Sequence, residues 1–270
     1  MGLRFVASVL CLCSLLSSVK AADEVKPLKA LLVLGGCCHD YNKQKDILKS
    51  GLESRCHVEV TIAYEPDKGT KKLNPVYENA DWAKGFDVII HDECSADVKD
   101  LEIINRVLKP HREGLPGVHL HCAMHSFRSE GFPKTTLWFD FTGLATTGHG
   151  PQLPIALNFV DKEHPITKPL SNWTTVNEEL YNNLEVLKTA HPLARGKQMV
   201  KQKDGTEKEV DFVTIWTNEY GEKKTRVFGT TLGHNNATVE DARYLDLVTR
   251  GLLWSCDKLN EKYLKPSPSK

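Results

Sequence analysis

The sequence predicts an open, mostly parallel α/β sheet with helices on both faces. Residues 29–34 (KALLVL) and 86–91 (FDVIIH) are short, nearly continuous apolar runs, which is typical of strands buried on both faces of a parallel sheet. A segment with apolar residues at helical spacing follows each run. We find no internal repeat and no domain linker, and therefore expect one domain.

Strands and helices alternate along the first half of the chain. Strands are predicted over residues 29–34, 57–64, 86–91 and 118–122, and helices over residues 43–54 and 97–109. Ser95 or Asp97 is the expected N-cap of the second helix. The alternation indicates right-handed βαβ units, which build parallel sheets.

The second half of the chain is less regular. Strands are predicted over residues 155–160, 184–189, 210–216 and 226–232, and helices over residues 135–144 and 241–254. The last two strands should form a hairpin-like pair through Tyr220 and Gly221. Residues 178–181 (EELY) lie in a polar segment to which no strand is assigned.

The two ends of the chain are expected to lie outside the fold. Arg4, the apolar run over residues 5–16 and the segment Val19-Lys20-Ala21, which has small residues at the positions that a signal peptidase reads, form the pattern of a signal peptide, with cleavage after Ala21. This predicts an exported protein, periplasmic or secreted. No later stretch is long and apolar enough to span a membrane. Residues 259–270 are expected to form a disordered tail.

The charge balance argues against two classes of partner. Lys and Arg number 35 and Asp and Glu number 35, and loss of Arg4 and Lys20 with the signal peptide leaves 33 against 35, a net charge of −2. Nothing in this balance indicates a nucleic acid or an anionic membrane surface. Asn236-Ala237-Thr238 matches the N-glycosylation pattern and begins two residues after His234. A glycan at Asn236 would crowd the candidate site, which favours a bacterial source that does not use this modification.

Six cysteines remain after the predicted cleavage: Cys37, Cys38, Cys56, Cys94, Cys122 and Cys256. Export would permit disulfides, although the spacing does not determine their connectivity. If one bridge forms, we expect it to join Cys94 to Cys37 or Cys38, because both regions should lie at the ends of sheet strands.

Residues 117–127 (GVHLHCAMHSF) are the most informative stretch for function. A buried strand here ends in reactive side chains, and ligands of open α/β sheets bind outside the carboxyl ends of the strands. Several histidines fall where predicted strands end: His39, His91, His121, His125, His149 and His234. The chain has no GxGxxG motif after its first strand, no P-loop, no GxSxG and no HExxH, which disfavours nucleotide-cofactor chemistry.

Two residues can each be interpreted in two ways. Cys122 is either a thiolate nucleophile assisted by a nearby histidine or a small buried residue at the end of a strand. Glu179 is either a general acid or base, or a metal ligand, or else part of a solvated acidic patch with Glu178.

A set of short motifs resembles one known family. These motifs are GGxxHDY at 35–41, HGP at 149–151, HPIT at 164–167, EELY at 178–181, RVFGTTLGHN at 226–235 and RGLLWS at 250–255, together with the strand-end His121. Their order and spacing over residues 28–256 resemble the ThuA-like (trehalose utilisation) family. The chain departs from the family pattern at Cys37-Cys38 and at Glu178, where the family often has Asp.

The resemblance implies a flavodoxin-like fold related to class I glutamine amidotransferases, and a link to disaccharide or keto-sugar metabolism. The histidines of the family match His39, His121, His149 and His234, and its acid matches Glu179. Cys122 then occupies the place of a small residue. The hypothesis of a Cys122 nucleophile, which would make the chain an amidotransferase or peptidase-like hydrolase, is therefore weaker than the two hypotheses that follow.

The leading hypothesis is an enzyme acting on a small carbohydrate by proton transfer next to a carbonyl group. His121 and His234 would be base and acid, and Glu179 a second base or a ligand of sugar hydroxyls. Candidate substrate-binding residues are His39, Asp40 (which would orient His39), His149, Tyr181 and Trp216, the last two by stacking on a sugar ring. The sequence requires no cofactor, but His121, His149 and His234 with Glu179 could instead hold a divalent metal. The second hypothesis is a non-catalytic carbohydrate-binding or scaffold protein on the same fold.

Overall fold

The structure, a computed structural model, describes residues 1–2 and 25–266. Nearly all of the predicted signal peptide, over residues 1–21, lies outside the described residues. In the part that is described, no helix is long and apolar enough to cross a membrane.

The first half of the chain alternates strands and helices as predicted. Its elements are β1 (Leu28–Gly36), α1 (Tyr41–Arg55), β2 (Val58–Glu65), a 3-10 helix (Pro75–Glu78), β3 (Val88–Cys94), α2 (Leu101–Arg112), β4 (Gly117–Leu120) and a 3-10 helix (His121–His125). α2 begins later than predicted, because the Asp100 carboxylate caps it by accepting hydrogen bonds from the backbone N–H groups of Glu102 and Ile103.

The second half of the chain is more regular than the sequence indicated. Its elements are α3 (Leu137–Thr142), β5 (Leu144–Ala145), β6 (His149–Phe159), β7 (Trp173–Tyr181), β8 (Glu185–Val186), β9 (Ala190–Lys201), β10 (Glu207–Tyr220), β11 (Thr225–Thr230), α4 (Asn236–Val239) and α5 (Ala242–Ser255). The predicted pairing of β10 with β11 is confirmed and is antiparallel. β7 and β9 were not predicted, and the segment that holds the EELY motif is a strand.

Nine strands form one mixed sheet in the order β2-β1-β3-β4-β11-β10-β9-β6-β7. The first five are parallel and have the 2-1-3-4-5 order of flavodoxin-like folds, which confirms the predicted fold class. From β10 to β7 the pairing is antiparallel. The sheet is therefore an α/β core with a four-stranded antiparallel extension.

Helices cover both faces of the parallel half. On β1, Leu32 and Leu34 pack in a cluster that includes residues of α1 and α5, whereas Leu31 and Val33 pack in a cluster that includes residues of α2 and α3. Successive side chains of a strand point to opposite faces. Two covered faces therefore explain why the apolar run of β1 is continuous and not alternating.

The segment that follows α5 differs from the sequence prediction of a disordered tail. Within its described part, Leu264 forms a bridge with Cys56, and Lys265 donates a backbone hydrogen bond to Arg55. The backbone N–H of His57 donates to the carbonyl oxygen of Tyr263 at 2.8 Å. Residues 263–265 are therefore held against the turn between α1 and β2.

His119 on β4 is a buried polar residue outside the candidate site. Its side chain is fully buried among Trp138, Phe141 and His91, and neither ring nitrogen has a hydrogen-bond partner among the described residues. Burial, followed by the neighbouring His91, lowers the pKa of His119 well below its ordinary value. At mildly acidic pH the ring therefore stays neutral in the folded state, whereas it becomes protonated in the unfolded chain.

We predict that His119→Phe makes the protein less sensitive to acid. A histidine with a lowered folded-state pKa costs stability as the pH falls below about 6.5, because only the unfolded state gains the proton. Between pH 7.5 and 5.5 the variant should lose about 1 kcal/mol less unfolding free energy than the wild type, measured by urea denaturation. Phe141→Leu is the control, and should change stability equally at both pH values. An unchanged pH dependence in His119→Phe would contradict the prediction.

Candidate functional site

The candidate site is built around His121, at the carboxyl end of β4. The backbone of His121 has φ +40°, a conformation that non-glycine residues seldom adopt outside constrained sites. The ring Nδ1 lies 2.6 Å from the carbonyl oxygen of Thr231, just after β11. A carbonyl can only accept, so Nδ1 carries a proton and donates it. The neutral ring therefore presents its lone pair at Nε2.

Nε2 of His121 faces two polar groups. The hydroxyl of Tyr181 lies 3.2 Å away, and the nearest carboxylate oxygen of Glu179 lies 3.5 Å away. When His121 is neutral, the Tyr181 hydroxyl can donate to Nε2, and when it is protonated, Nε2 can donate to Glu179. The backbone fixes the proton at Nδ1, so Nε2 is the position where a proton can be exchanged.

Glu179, near the end of β7, lies among three histidines. Its carboxylate oxygens lie 3.5 Å from His121 Nε2, 3.5 Å from His149 Nε2 and 3.2 Å from His234 Nδ1. The residue is only 5% exposed. Burial favours the neutral acid, but the neighbouring imidazoles of His121 and His234 outweigh it and hold the pKa of Glu179 far below its ordinary value. Glu179 is therefore an ionised carboxylate inside the site.

The register of β6 and β7 adds further groups around Glu179. Gln152 lies opposite Glu179, and His149 lies opposite Tyr181. The Gln152 side-chain nitrogen donates to Glu179 at 3.1 Å and lies 2.8 Å from Nε2 of His234. β7 is four places from β11 in the strand order, so these contacts require the antiparallel extension to curve back over the carboxyl edge of the parallel strands.

His234 is held by its backbone as well as by its ring. Glu178, with no exposed surface, accepts hydrogen bonds from the backbone N–H groups of His234 and Asn235, each at 3.2 Å. Gln44 donates to the carbonyl oxygens of Gly233 and His234. Gly233 has φ +129°, and a Cβ there would crowd His121. The Glu179 carboxylate, 3.2 Å from Nδ1, raises the pKa of His234.

His39, in the loop after β1, completes a cluster with His121 and His234. Its ring centroid lies 4.6 Å from that of His121 and 4.8 Å from that of His234. Burial, reinforced by these two imidazoles, lowers the pKa of His39 to about 2, and its Nδ1 has no hydrogen-bond partner among the described residues. Asp40 was expected to orient His39, but its carboxylate instead accepts a hydrogen bond from Asn236 at 2.9 Å.

Three of these histidines have the arrangement of a metal-binding set. One ring nitrogen from each of His39, His121 and His234 lies within 4.8 Å of the others. His39 is neutral and its Nδ1 is unpaired, and His121 donates its other ring N–H to a carbonyl, as metal-bound histidines usually do. With the carboxylate of Glu179 alongside, the donors fit a divalent transition metal or zinc. The sequence hypothesis named His149 in place of His39.

A cleft opens beside His39. It has a volume of about 580 Å³ and is lined by residues of the β1–α1 loop and the end of β2, among them Cys38, His39, Asp40 and Tyr64. This volume is within the usual range for small-molecule sites. A cavity of about 560 Å³ near Trp82 and Pro116 lies at the opposite edge, where β3 and β4 begin. Only the first of these two is next to the histidine cluster.

Two expected sugar-stacking residues are closed to a ligand. Trp216 is fully buried, and its indole N–H donates to the carbonyl oxygen of Thr142 at 2.7 Å. Tyr181 is 1% exposed and its ring is stacked on His125 at 4.3 Å. Neither ring can stack on a sugar in this arrangement. The hydroxyl of Tyr181, however, reaches His121.

Cys122 and His91 also lie outside the chemistry of the site. Cys122 is 4% exposed, and the hydrogen bond to Cys94 together with burial raises the pKa of its thiol, which does not favour a nucleophile. His91 lies 3.0 Å from Glu93 and 3.2 Å from His111, in the buried cluster beside His119. The remaining strand-end histidines, His39, His121, His125, His149 and His234, do come together.

Sequence reasoning missed the groups that hold the site in place. Glu178 was considered part of a solvated acidic patch, and Gln44, Gln152 and Thr231 were not considered. Recognition of residues 173–181 as a strand would have placed Glu178 and Glu179 on opposite faces, so that the two acids could not be equivalent.

The sequence profile of the ThuA family, described as trehalose utilisation, matches residues 29–255. The chain therefore belongs to the ThuA family. A search of curated proteins found no match.

Solved structures show the same fold at low sequence identity. A ThuA-like protein from Bacteroides uniformis has a TM-score of 0.64 and 17% identity, and the match covers 87% of this chain and 95% of that one. A GH42 β-galactosidase, Gan42B, from G. stearothermophilus has a TM-score of 0.52 and 9% identity over 86% of this chain and 30% of that one. A glutamine amidotransferase from Thermotoga maritima is matched at a TM-score of 0.40 and 9% identity, over 76% of this chain and 75% of that one, a likeness too low to support a conclusion.

We predict that Glu179→Gln lowers the pKa of His234. The variant removes the negative charge that favours the imidazolium form, so the pKa should fall. The measurement is an NMR titration of the histidine ring signals, with Glu59→Gln on the exposed side of β2 as the control. A His234 pKa that is unchanged or higher in Glu179→Gln would show that the carboxylate does not set it.

Proposed function

We propose that this protein is an enzyme of carbohydrate metabolism that acts on a disaccharide or keto-sugar by histidine and glutamate acid–base chemistry. The single observation that carries the proposal is the position of the Glu179 carboxylate, which lies between His121 on one oxygen and His234 on the other. The family description, trehalose utilisation, supports the class of substrate. The predicted signal peptide supports action outside the cytoplasm.

His121 is the general base in this proposal. The donor bond to Thr231 keeps Nδ1 protonated, so a C–H or O–H proton of the substrate is taken at Nε2. A proton on carbon next to a keto group is acidic enough for such transfer, because the resulting charge moves to the carbonyl oxygen. Glu179, 3.5 Å away, stabilises the imidazolium that forms.

His234 is the general acid. Its raised pKa increases the protonated fraction near neutral pH, and it can donate to a carbonyl or glycosidic oxygen. Rotation of the Gln152 amide would present an acceptor to protonated Nε2 of His234, at the cost of its hydrogen bond to Glu179. Together the two histidines support isomerisation, elimination or hydrolysis. The hydroxyl groups of the sugar would be bound by His39, Asp40 and the exposed His149.

A metal-assisted variant of the same chemistry is supported by the unpaired Nδ1 of His39. His39, His121 and His234 would hold the metal, with Glu179 as the adjacent carboxylate. A bound divalent ion would polarise the keto group as a Lewis acid. In that case proton transfer would fall to Glu179 and to side chains at the mouth of the site.

We predict that loss of His121, His234 or Glu179 lowers turnover strongly. A positioned acid or base contributes about 10²–10⁴-fold to rate, so His121→Ala, His234→Ala and Glu179→Gln should each lower kcat by that order. The measurement is product formation from a panel of keto-disaccharides and their parent sugars, by mass spectrometry. Cys122→Ala is the control, and should retain activity.

Three results would contradict the proposal. Full activity in both His121→Ala and His234→Ala would remove the acid–base assignment. Calorimetric binding of a sugar with no turnover of any compound would favour a carbohydrate-binding protein. Complete loss of activity in Cys122→Ala would instead restore the thiol as a nucleophile.

Metal binding is tested separately. If the metal-assisted variant holds, zinc or manganese should bind one ion per chain in calorimetry. Loss of a residue that only supports a metal ligand lowers metal affinity by about 10–100-fold. His39→Ala removes a proposed ligand itself and should weaken binding by at least that factor. His57→Ala, on the surface before β2, should bind the ion normally. Equal affinity in His39→Ala and His57→Ala would exclude the three-histidine site.

A further inference from the structure

Four cysteines form a row of sulfur atoms at the carboxyl ends of three neighbouring strands. Cys37 and Cys38, after β1, are joined by a disulfide. Sγ of Cys94, the last residue of β3, lies 3.4 Å from Sγ of Cys37. Sγ of Cys122, after β4, lies 2.7 Å from Sγ of Cys94. The sulfur atoms therefore follow the order Cys38, Cys37, Cys94, Cys122.

The parallel register of the strands explains this row. β1 and β3 pair with Gly36 opposite Cys94, so the residue after Gly36 reaches the end of β3. Gly36 has φ +102°, and a Cβ there would run into the carbonyl of Cys94. The expected disulfide between Cys94 and Cys37 or Cys38 is not present, but the expected closeness of these two regions is.

We propose that this row is an internal thiol–disulfide exchange site, in which one disulfide moves between Cys37–Cys38 and Cys94–Cys122. In the first step, the Cys94 thiolate attacks Sγ of Cys37. A Cys37–Cys94 bond forms, the Cys37–Cys38 bond breaks, and Cys38 leaves as a thiolate that takes up a proton. In the second step, Cys94 is part of a disulfide and its thiol–thiol hydrogen bond with Cys122 no longer exists, so Cys122 can give up its proton. Its thiolate attacks Sγ of Cys94, and Cys37 leaves as a thiolate. Two protons move from Cys94 and Cys122 to Cys37 and Cys38, and no external oxidant or reductant is consumed.

The surroundings of the row suit these steps. The hydrogen bond from Cys122 lowers the pKa of Cys94, which favours the thiolate that begins the exchange. Cys38 is exposed and lines the cleft beside His39, so the first leaving group faces solvent and is open to small thiols. Cys94 and Cys122 are buried, so the second disulfide position is shielded.

Both positions of the disulfide adjoin site histidines. Cys38 immediately precedes His39, and Cys122 immediately follows His121. While Cys38 is in the disulfide its backbone is held at φ +82°, and release of this bond removes a covalent constraint on the loop that carries His39. The exchange would therefore couple the thiol state of the protein to the placement of His39.

The exchange can be tested by mapping disulfides in the full-length protein. Protein is incubated at pH 8 for hours, the range in which disulfides reshuffle. It is then acidified, unfolded, labelled with N-ethylmaleimide, digested and analysed by mass spectrometry. We expect two forms of the cluster, one with Cys94 and Cys122 labelled and the other with Cys37 and Cys38 labelled. Each form carries two labels among the four cysteines, because exchange conserves thiols.

Two outcomes in the wild type would overturn the proposal. One is a cluster in which Cys37–Cys38 is the only disulfide at every time of incubation. The other is a Cys94–Cys122 bridge found only in molecules that also retain Cys37–Cys38, since those would arise from direct oxidation. Neither readout depends on a sugar substrate, so the proposed enzymatic function can fail while this proposal holds.

Variants separate the two steps. Cys122→Ala blocks the second step and should accumulate the Cys37–Cys94 bridge with Cys38 labelled. Cys94→Ser blocks the first and should show only Cys37–Cys38. Cys256→Ala, which removes a cysteine outside the row, should give the two forms of the wild type. Absence of the Cys37–Cys94 bridge in a folded Cys122→Ala protein would also overturn the proposal.

Discussion

The hydrogen bond from Nδ1 of His121 to the carbonyl oxygen of Thr231 joins the ends of two neighbouring parallel strands, β4 and β11, at 2.6 Å. It depends on the left-handed backbone of His121, which turns the chain at the end of the strand. It leaves one nitrogen, Nε2, to face the other polar groups. Tyr181, Glu179 and the rings of His39 and His234 are then arranged about that nitrogen.

The antiparallel half of the sheet supplies what the parallel half lacks. A flavodoxin-like core brings His39, His121 and His234 to one edge, because all three follow parallel strands. It contributes no carboxylate to that cluster. The curved extension brings Glu179 from β7, and the neighbouring His121 and His234 keep this carboxylate ionised despite its burial. The site therefore requires both halves of the sheet, and its electrostatics couple a low carboxyl pKa to a raised imidazole pKa at His234.

The parallel half and its histidines could be predicted from the sequence, because local patterns specify them. The buried run of β1 and the strand-end position of His121 follow from hydrophobic pattern and sheet topology alone. The segments of β7 and β9 carry many polar residues and have no such pattern, and their pairing is long-range, so they were missed. The polar contacts of Glu178 with the His234 turn could not be predicted without that pairing.

The roles of individual aromatic and cysteine residues could not be predicted from the sequence. Trp216 and Tyr181 are aromatic residues near the site in sequence terms, yet burial closes both rings to a ligand. The sequence is compatible with Cys122 as a nucleophile or as a small residue at the end of a strand. In the structure Cys122 is the end of a row of sulfur atoms that depends on the register of β1, β3 and β4 and cannot be predicted from cysteine spacing.

The tautomer of His121 tests the central claim most directly. It can be measured by NMR of ¹⁵N-labelled histidine in the wild-type protein, with the signals assigned by comparison with His121→Gln. The bond to Thr231 predicts that the neutral ring carries its proton on Nδ1 and has a bare Nε2. A neutral His121 with its proton on Nε2 and a bare Nδ1 would contradict the account.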